Sequence, residues 1–265
     1  MRCAAVFLVV TISVLFISAP LRADIDPQYK PQLEQLTAKL KDKGFTDDDL
    51  SRIVSDSRVT LYPEIVERKG KGLNYFHRKF GLLTKKSIER GQRILRENRE
   101  TLQKIEDLFG VEKEVIVAIL RVETNFGQST GSCLVFNSLL TMALIENRRS
   151  AWAEREFIEL LRICKEQKKD PLSIKGSWAG AFGICQFVPS SYVQFAVDGN
   201  GDGVIDLFDL HDAIASIANY LKAHGFEKNK SLESRKNAIY AYNHCDNYVK
   251  AVLAYAKASK KGIVL

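Results

Sequence analysis

The sequence has no internal repeat, no low-complexity linker and no zinc-type cysteine spacing, and residues 24–110 show no sustained apolar–polar alternation. These absences argue against a repeat array, a loosely tethered multidomain chain, a metal-stapled minidomain and a strand-rich N-terminal half. No nucleic-acid-binding motif accompanies the basic balance of 39 Lys and Arg against 32 Asp and Glu. The positive excess is scattered through Lys69–Lys71, Lys85-Lys86 and Lys260-Lys261, so nucleic acid is not an expected partner. A diffuse basic surface suits another anionic polymer, with the cell wall and a membrane surface as candidates.

What is present is a 265-residue chain with 46% hydrophobic residues, enough for one large domain or two small ones. Arg2, an apolar run from Ala4 to Ile17 and the small-residue stretch Ser18-Ala19-Pro20-Leu21-Arg22-Ala23 read as a secretory signal peptide. Cleavage is expected after Ala23. The run is short for a membrane span and no cysteine lies at the cleavage region, so an exported (periplasmic) protein without a stable membrane anchor is expected. Export makes Cys133, Cys164, Cys185 and Cys245 candidates for disulfides, with three complete pairings open and free buried thiols as the alternative.

Leucines at 33, 36 and 40 place a helix over Pro31 to Lys43, and Thr46 with three following aspartates caps a second. Further helices are expected at 87–109, 139–147, 151–168, from Pro189, at 210–224 and at 234–258, making the chain mainly α. Residues 24–110 form an N-terminal helical region, and 111–265 a core.

Within that core, Val115, Ile116, Ile119 and Glu123 fall on one helical face, ending a run of almost wholly apolar residues with a single carboxylate. Desolvation and the negative end of the helix dipole both favour its protonated form. A general acid working near neutral pH needs that shift. The bland alternative pairs Glu123 with Arg121 or leaves it in solvent.

Residues 198–209 follow the D-x-N-x-D-G pattern of an EF-hand calcium loop. Asp198, Asn200, Asp202 and the Val204 carbonyl supply hard oxygen ligands, Gly203 the sharp turn, and Ile205 the apolar anchor. Position 12 is Asp209 where a longer Glu is usual, and Asp212 offers a bidentate carboxylate if the loop runs to 212. A structural calcium ion is expected, and no organic cofactor.

Several motifs then occur in a fixed order: Val122-Glu123-Thr124-Asn125-Phe126-Gly127, Asn147-Arg148-Arg149, the glycine-rich 175–183 segment with Gln186-Phe187-Val188-Pro189-Ser190-Ser191-Tyr192, the acidic loop, Ala218–Gly225, and Ala241-Tyr242-Asn243-His244. Together they resemble the membrane-bound lytic murein transglycosylase B family, which has a lysozyme-like core and acts on peptidoglycan. The resemblance implies cleavage of the β-1,4 bond from N-acetylmuramic acid to N-acetylglucosamine, giving 1,6-anhydro ends. Glu123 would act alone, first as acid and then as base. Ser177, Gln186, Tyr242 and Asn243 would line the site. The Tyr242 hydroxyl and Gln186 amide would meet the substrate acetamido group or Glu123. Arg148 and Arg149 would meet the anionic peptide stem or lactyl carboxylate, and Tyr220 and Tyr248 would stack on sugars or pack the cleft wall. Phe76 stands where the family often has Tyr, which removes an expected N-terminal contact. Cys185 and Cys245 sit beside two site motifs where the family usually has small residues, and a Cys185–Cys245 disulfide is the hypothesis if those segments adjoin, leaving Cys133 with Cys164. A monomer binding peptidoglycan strands is expected. The alternatives are a hydrolytic muramidase of the same fold, a non-catalytic wall-binding protein and a calcium sensor.

Overall fold

The computed structural model describes residues 25–68, 73–227, 229 and 231–261. The expected signal peptide lies outside these residues. Among the described residues no helix is long and apolar enough to cross a membrane. Helices α1 (Lys30–Asp42), α2 (Asp47–Val54), α3 (Lys85–Glu97), α4 (Arg99–Phe109), α5 (Lys113–Thr124), α6 (Val135–Leu144), α7 (Ser150–Glu166), α8 (Pro189–Phe195), α9 (Leu210–Ala223), α10 (Leu232–Tyr242) and α11 (Asp246–Lys260) dominate.

The architecture is centred on α5. Ile116, Val117, Ala118, Ile119 and Leu120 are all fully buried. A helix apolar around its circumference needs neighbours on every side. Helices α3, α4, α9 and α11 provide them. Glu123 therefore emerges from a helix buried over ten of its twelve residues.

The N-terminal region packs onto α6 and α7 through polar contacts as well as apolar ones. The Thr46 hydroxyl and Asp49 carboxylate cap each other's backbone at 3.1 Å, starting α2 as its sequence predicts. Asn137 donates to the Arg58 carbonyl at 2.9 Å, the Tyr62 amide donates to the Thr141 hydroxyl at 2.9 Å, and Lys39 pairs with Glu154 at 2.7 Å.

Three helical expectations need correction. The predicted helix over 87–109 is two helices that break at Asn98, whose backbone leaves helical geometry at φ −112° and ψ 29° and whose side chain joins its own amide on the Ile94 carbonyl at 3.0 Å. The predicted 234–258 helix is also two: Asn243 and Cys245 are extended, at φ −147° each, which turns the chain sharply between α10 and α11. The helix expected at 139–147 runs from Val135 to Leu144.

A small sheet was not anticipated. Strand β1 (Cys133–Leu134) pairs antiparallel with β2 (Lys175–Gly176), matching Cys133 to Gly176, and single bridges extend it through Phe182 to Phe187. A Cβ on Gly131 would sit 2.1 Å from the Gly176 carbonyl oxygen, so that approach requires glycine.

All four described cysteines are free thiols, so the hypothesised Cys185–Cys245 and Cys133–Cys164 bridges are not formed. Cys164 and Cys185 are buried in the core, and burial pushes the Cys164 thiol up to about 12. They pack as small hydrophobes.

Candidate active site

Glu123 sits in the last turn of α5, where three successive residues, Asn125, Phe126 and Gly127, take left-handed backbone at φ 51°, 62° and 80°. The Phe126 amide closes back on the Leu120 carbonyl at 3.0 Å and the Asn125 amide on Arg121 at 3.1 Å. The Thr124 hydroxyl donates to the Ile184 carbonyl at 2.8 Å and accepts from the Gly127 amide at 2.9 Å. The helix end is thus tied to the 183–187 turn.

Glu123 itself is partly buried. The hydroxyl of Tyr248, a fully buried residue of α11, donates to Glu123 Oε1 at 2.6 Å. Desolvation is the main influence and pushes the Glu123 carboxyl up to about 7, against the opposing Tyr248 hydrogen bond. Arg121 does not pair with it. Its guanidinium turns to the Ser87 hydroxyl at 2.7 Å and the Phe80 carbonyl at 2.8 Å, behind α5. Among the described residues no Asp or Glu stands beside Glu123 as a second reacting acid: burial and Tyr248 account for its shift.

Aromatic rings form the surrounding wall. Tyr248 lies parallel to Tyr242 with centroids 6.3 Å apart, and Tyr75 meets Tyr248 edge-on at 5.8 Å. Tyr75 also packs edge-on against Phe80 at 5.5 Å. Sequence reasoning missed Tyr75. It fixed on the neighbouring Phe76, which is 48% exposed, whereas Tyr75 is buried, and burial first and the nearby Glu123 charge second raise its phenol. The signal was the aromatic pair itself, since one of two adjacent rings in an irregular segment must face inward.

The other anticipated residues adopt definite roles in the framework. The Tyr242 hydroxyl donates to the Cys185 carbonyl at 2.6 Å, not to Glu123. Gln186, at φ 54°, donates its amide to the Thr130 and Gly183 carbonyls at 3.0 and 2.9 Å, bracing the turn that follows α5. The Ser177 hydroxyl accepts from the Ala181 amide at 3.1 Å. Tyr220 donates to the Ala241 carbonyl at 2.8 Å and stacks on His224 with centroids 4.1 Å apart, within a cluster that includes Phe195. Asn243 is partly buried at the corner between α10 and α11. Arg148 and Arg149 line a separate groove with Trp178.

In the acidic loop, Asp198 accepts from the Gly201 and Gly203 amides at 2.6 and 2.8 Å, while Asn200 and Asp202 accept from Asp202 and Val204, each at 2.8 Å. Asp209 does not turn inward. Its Oδ1 caps α9, accepting from the His211 and Asp212 amides at 2.8 and 3.2 Å. Asp212 is the carboxylate that faces the loop: it is fully buried and accepts from the Gly199 and Asp206 amides at 2.9 and 2.7 Å. Among the described residues no three His, Cys, Asp or Glu side chains converge as a metal-holding group.

Residues 28–236 match the family model described as the transglycosylase SLT domain. The chain is 35% identical over 212 residues to membrane-bound lytic murein transglycosylase B of Escherichia coli (strain K12), covering 75% of this chain and 58% of that protein. It therefore spans somewhat over half the length of that relative. Two solved structures of the Escherichia coli lytic transglycosylase SLT35 are similar at 25% identity, covering 90% of this chain and 96% of theirs. One is a complex with bulgecin A, at a TM-score of 0.79, and the other a complex with calcium, at 0.78. On a match that takes in most of its length, the chain belongs to the transglycosylase SLT domain family.

Proposed function

We propose that this protein is a lytic transglycosylase that cleaves peptidoglycan between N-acetylmuramic acid and N-acetylglucosamine and leaves 1,6-anhydro ends. The observation that carries the reading is the Glu123–Tyr248 pair: one carboxyl, shifted to about 7, with a fixed donor on one oxygen. Near neutral pH such a group is accessible in both protonation states. Protonated Glu123 donates to the glycosidic oxygen as the bond to C1 breaks. The substrate's acetamido oxygen stabilises the positive charge at C1. Glu123, now ionised and held by Tyr248, takes the proton of the muramic C6 hydroxyl, whose oxygen bonds C1. No second carboxylate and no water are consumed, unlike two-carboxylate glycosidases.

Ser177, Gln186, Tyr242 and Asn243 would line the cleft, mostly by holding backbone in place. Arg148 and Arg149 would meet the anionic stem of the substrate. The helical 24–110 region would act as part of the cleft wall, which the Tyr75 contact with Tyr248 supports. Digestion of purified sacculi tests the reading. Anhydromuramic ends are expected; reducing muramic ends would make the protein a hydrolase instead.

The acidic loop supports a second, structural proposal: a calcium ion held by Asp198, Asn200, Asp202, the Val204 carbonyl and Asp212. Asp212 is a buried carboxylate whose hydrogen-bond donors among the described residues are backbone amides, which suits a bound cation. Asp209 is left out because it caps α9. The ion would clip the 198–206 loop to α9. Export to the periplasm, action as a monomer and peptidoglycan as polymeric partner complete the proposal.

A further inference from the structure

Arg121 stands two positions before Glu123 on α5, which the helical repeat sets about 200° away round the axis, and it is only 6% exposed. A buried guanidinium is ordinarily met by a carboxylate, because a charge taken out of water without a partner is costly. Here the acceptors are neutral. Nε donates to the Ser87 hydroxyl at 2.7 Å and Nη2 to the Phe80 carbonyl at 2.8 Å, with the Phe80 ring centroid 5.0 Å from the guanidinium carbon. Burial pulls the Arg121 pKa down, the Tyr255 phenol opposes it, and the neighbouring Arg90 charge adds to the lowering; no Asp or Glu offsets it.

Both acceptors belong to the N-terminal region. Phe80 lies within residues 73–84, a stretch of turns with neither helix nor strand. Its local bonds are single ones, from the His77 amide to the Asn74 carbonyl at 3.0 Å and from the Phe80 amide to the His77 carbonyl at 2.9 Å. Such turns do not fix where the stretch sits on the core, so its anchors do. From Phe80 a line of contacts crosses to the reacting group. The Phe80 ring meets Tyr75 edge-on at 5.5 Å, Tyr75 meets Tyr248 edge-on at 5.8 Å, and Tyr248 donates to Glu123 at 2.6 Å. Both ends of that line are on α5. Ser87 closes it a second time, since its carbonyl accepts from Tyr255 of α11, the helix that carries Tyr248.

We propose that Arg121 is a positioning residue: by clamping Phe80 and Ser87 to the rear of α5, it keeps Tyr75 pressed on Tyr248 and water away from Glu123. The inference rests on Glu123 being the acid of the transglycosylase reading. The titratable groups on which the Glu123 charge acts are Tyr75 from this stretch, Cys185 from the 183–187 turn, Tyr242 from α10 and Tyr248 from α11. Burial raises all four, so they are neutral near pH 7, and the Glu123 shift draws on no titratable side chain of α3, α4 or α9. Packing therefore controls this carboxyl, and whatever holds the packing controls it too.

NMR titration of the isotope-labelled Glu123 carboxyl in the full chain, assigned by its loss in Glu123→Gln, tests this. In Arg121→Met, which keeps much of the bulk and removes the donors, the midpoint is expected to fall from about 7 to about 6. Arg121→Lys, a point charge without the planar fork, should recover part of that fall. Tyr75→Ala should lower the midpoint by a similar amount, and combining it with Arg121→Met should add nothing, because both act through one contact. Arg121→Lys and Ser87→Ala are milder changes and are read the same way if Arg121→Met does not fold. A midpoint that stays at the parent's value in the folded variants, or falls that add in the double variant, would overturn the proposal. The titration is read without substrate, so its failure is separate from failure of the cleavage reading, which sacculus digestion decides.

Discussion

The Tyr248 hydroxyl and Glu123 Oε1, 2.6 Å apart and 125 positions apart in sequence, join the N-terminal turn of α11 to the C-terminal turn of α5. The donor favours the ionised carboxyl, while the apolar surroundings favour the neutral one. Their balance sets the working range of the group.

Tyr248→Phe removes the donor and leaves the ring. The Glu123 carboxyl is expected to move further above about 7, since only the lowering influence is lost. The pH–rate profile on soluble glycan strands should shift towards higher pH, with a rate at pH 7 reduced about tenfold. An unmoved profile would separate Tyr248 from the chemistry.

Glu123→Gln keeps the hydrogen bond and removes the titration. Loss of turnover by about a thousandfold is expected. Stability should change with the opposite benefit. The folded carboxyl titrates near 7 against an ordinary 4.5, so the stability it contributes is whole below about 4.5 and lost as pH rises through about 7. With its partial solvent access, that amounts to about 2 kcal/mol. Melting curves at pH 8 should place the variant about 5 °C above the parent, with no difference at pH 4.

Much of this was legible before any coordinates. The apolar run from Val115 to Val122 can only be a buried helix, and its one acid is displayed at the helix end by the left-handed stop at Asn125. The ring partner of Glu123 was less visible. Tyr242 and Tyr248 lie six positions apart across an unrecognised break at Asn243–Cys245, and a continuous helix would have given them different bearings. Tyr75 was hidden for another reason: an irregular segment has no periodicity from which an inward face can be read. The capping role of Asp209 was also concealed, because an N-cap aspartate and a loop ligand are the same residue type at nearly the same place.

Calcium should raise the melting temperature, and a chelator should reverse the effect, because an ion bound only by the native state stabilises it. Asp212→Asn is expected to abolish the calcium-dependent shift. Asp209→Ala should retain it while losing about 1 kcal/mol of stability from the missing helix cap. Differential scanning calorimetry with and without chelator distinguishes the two; the reverse pattern would assign the ligand to Asp209.

Gly183 takes φ 77°, and a Cβ there would lie 2.4 Å from Leu207 Cβ and 2.8 Å from its carbonyl oxygen. Gly183→Ala is expected to cost about 3 kcal/mol, combining strain with overpacking. Gly201, at φ 80° with open space around it, should lose only about 1 kcal/mol as Ala. Urea titrations of the two variants check the contrast.

The edge-on contact of Tyr75 with Tyr248 also bears on how far the molecule can be dissected. Cutting the chain near residue 110 would remove Tyr75, Phe80 and Ser87 together, stripping the outer layer from the Glu123 donor and both acceptors from the buried Arg121 side chain. The excised 111–261 fragment would keep every motif legible in its sequence and still present a wetter, more acidic Glu123. Minimal versions of this protein for engineering must therefore be designed around the contacts of α5, not around the span of its motifs.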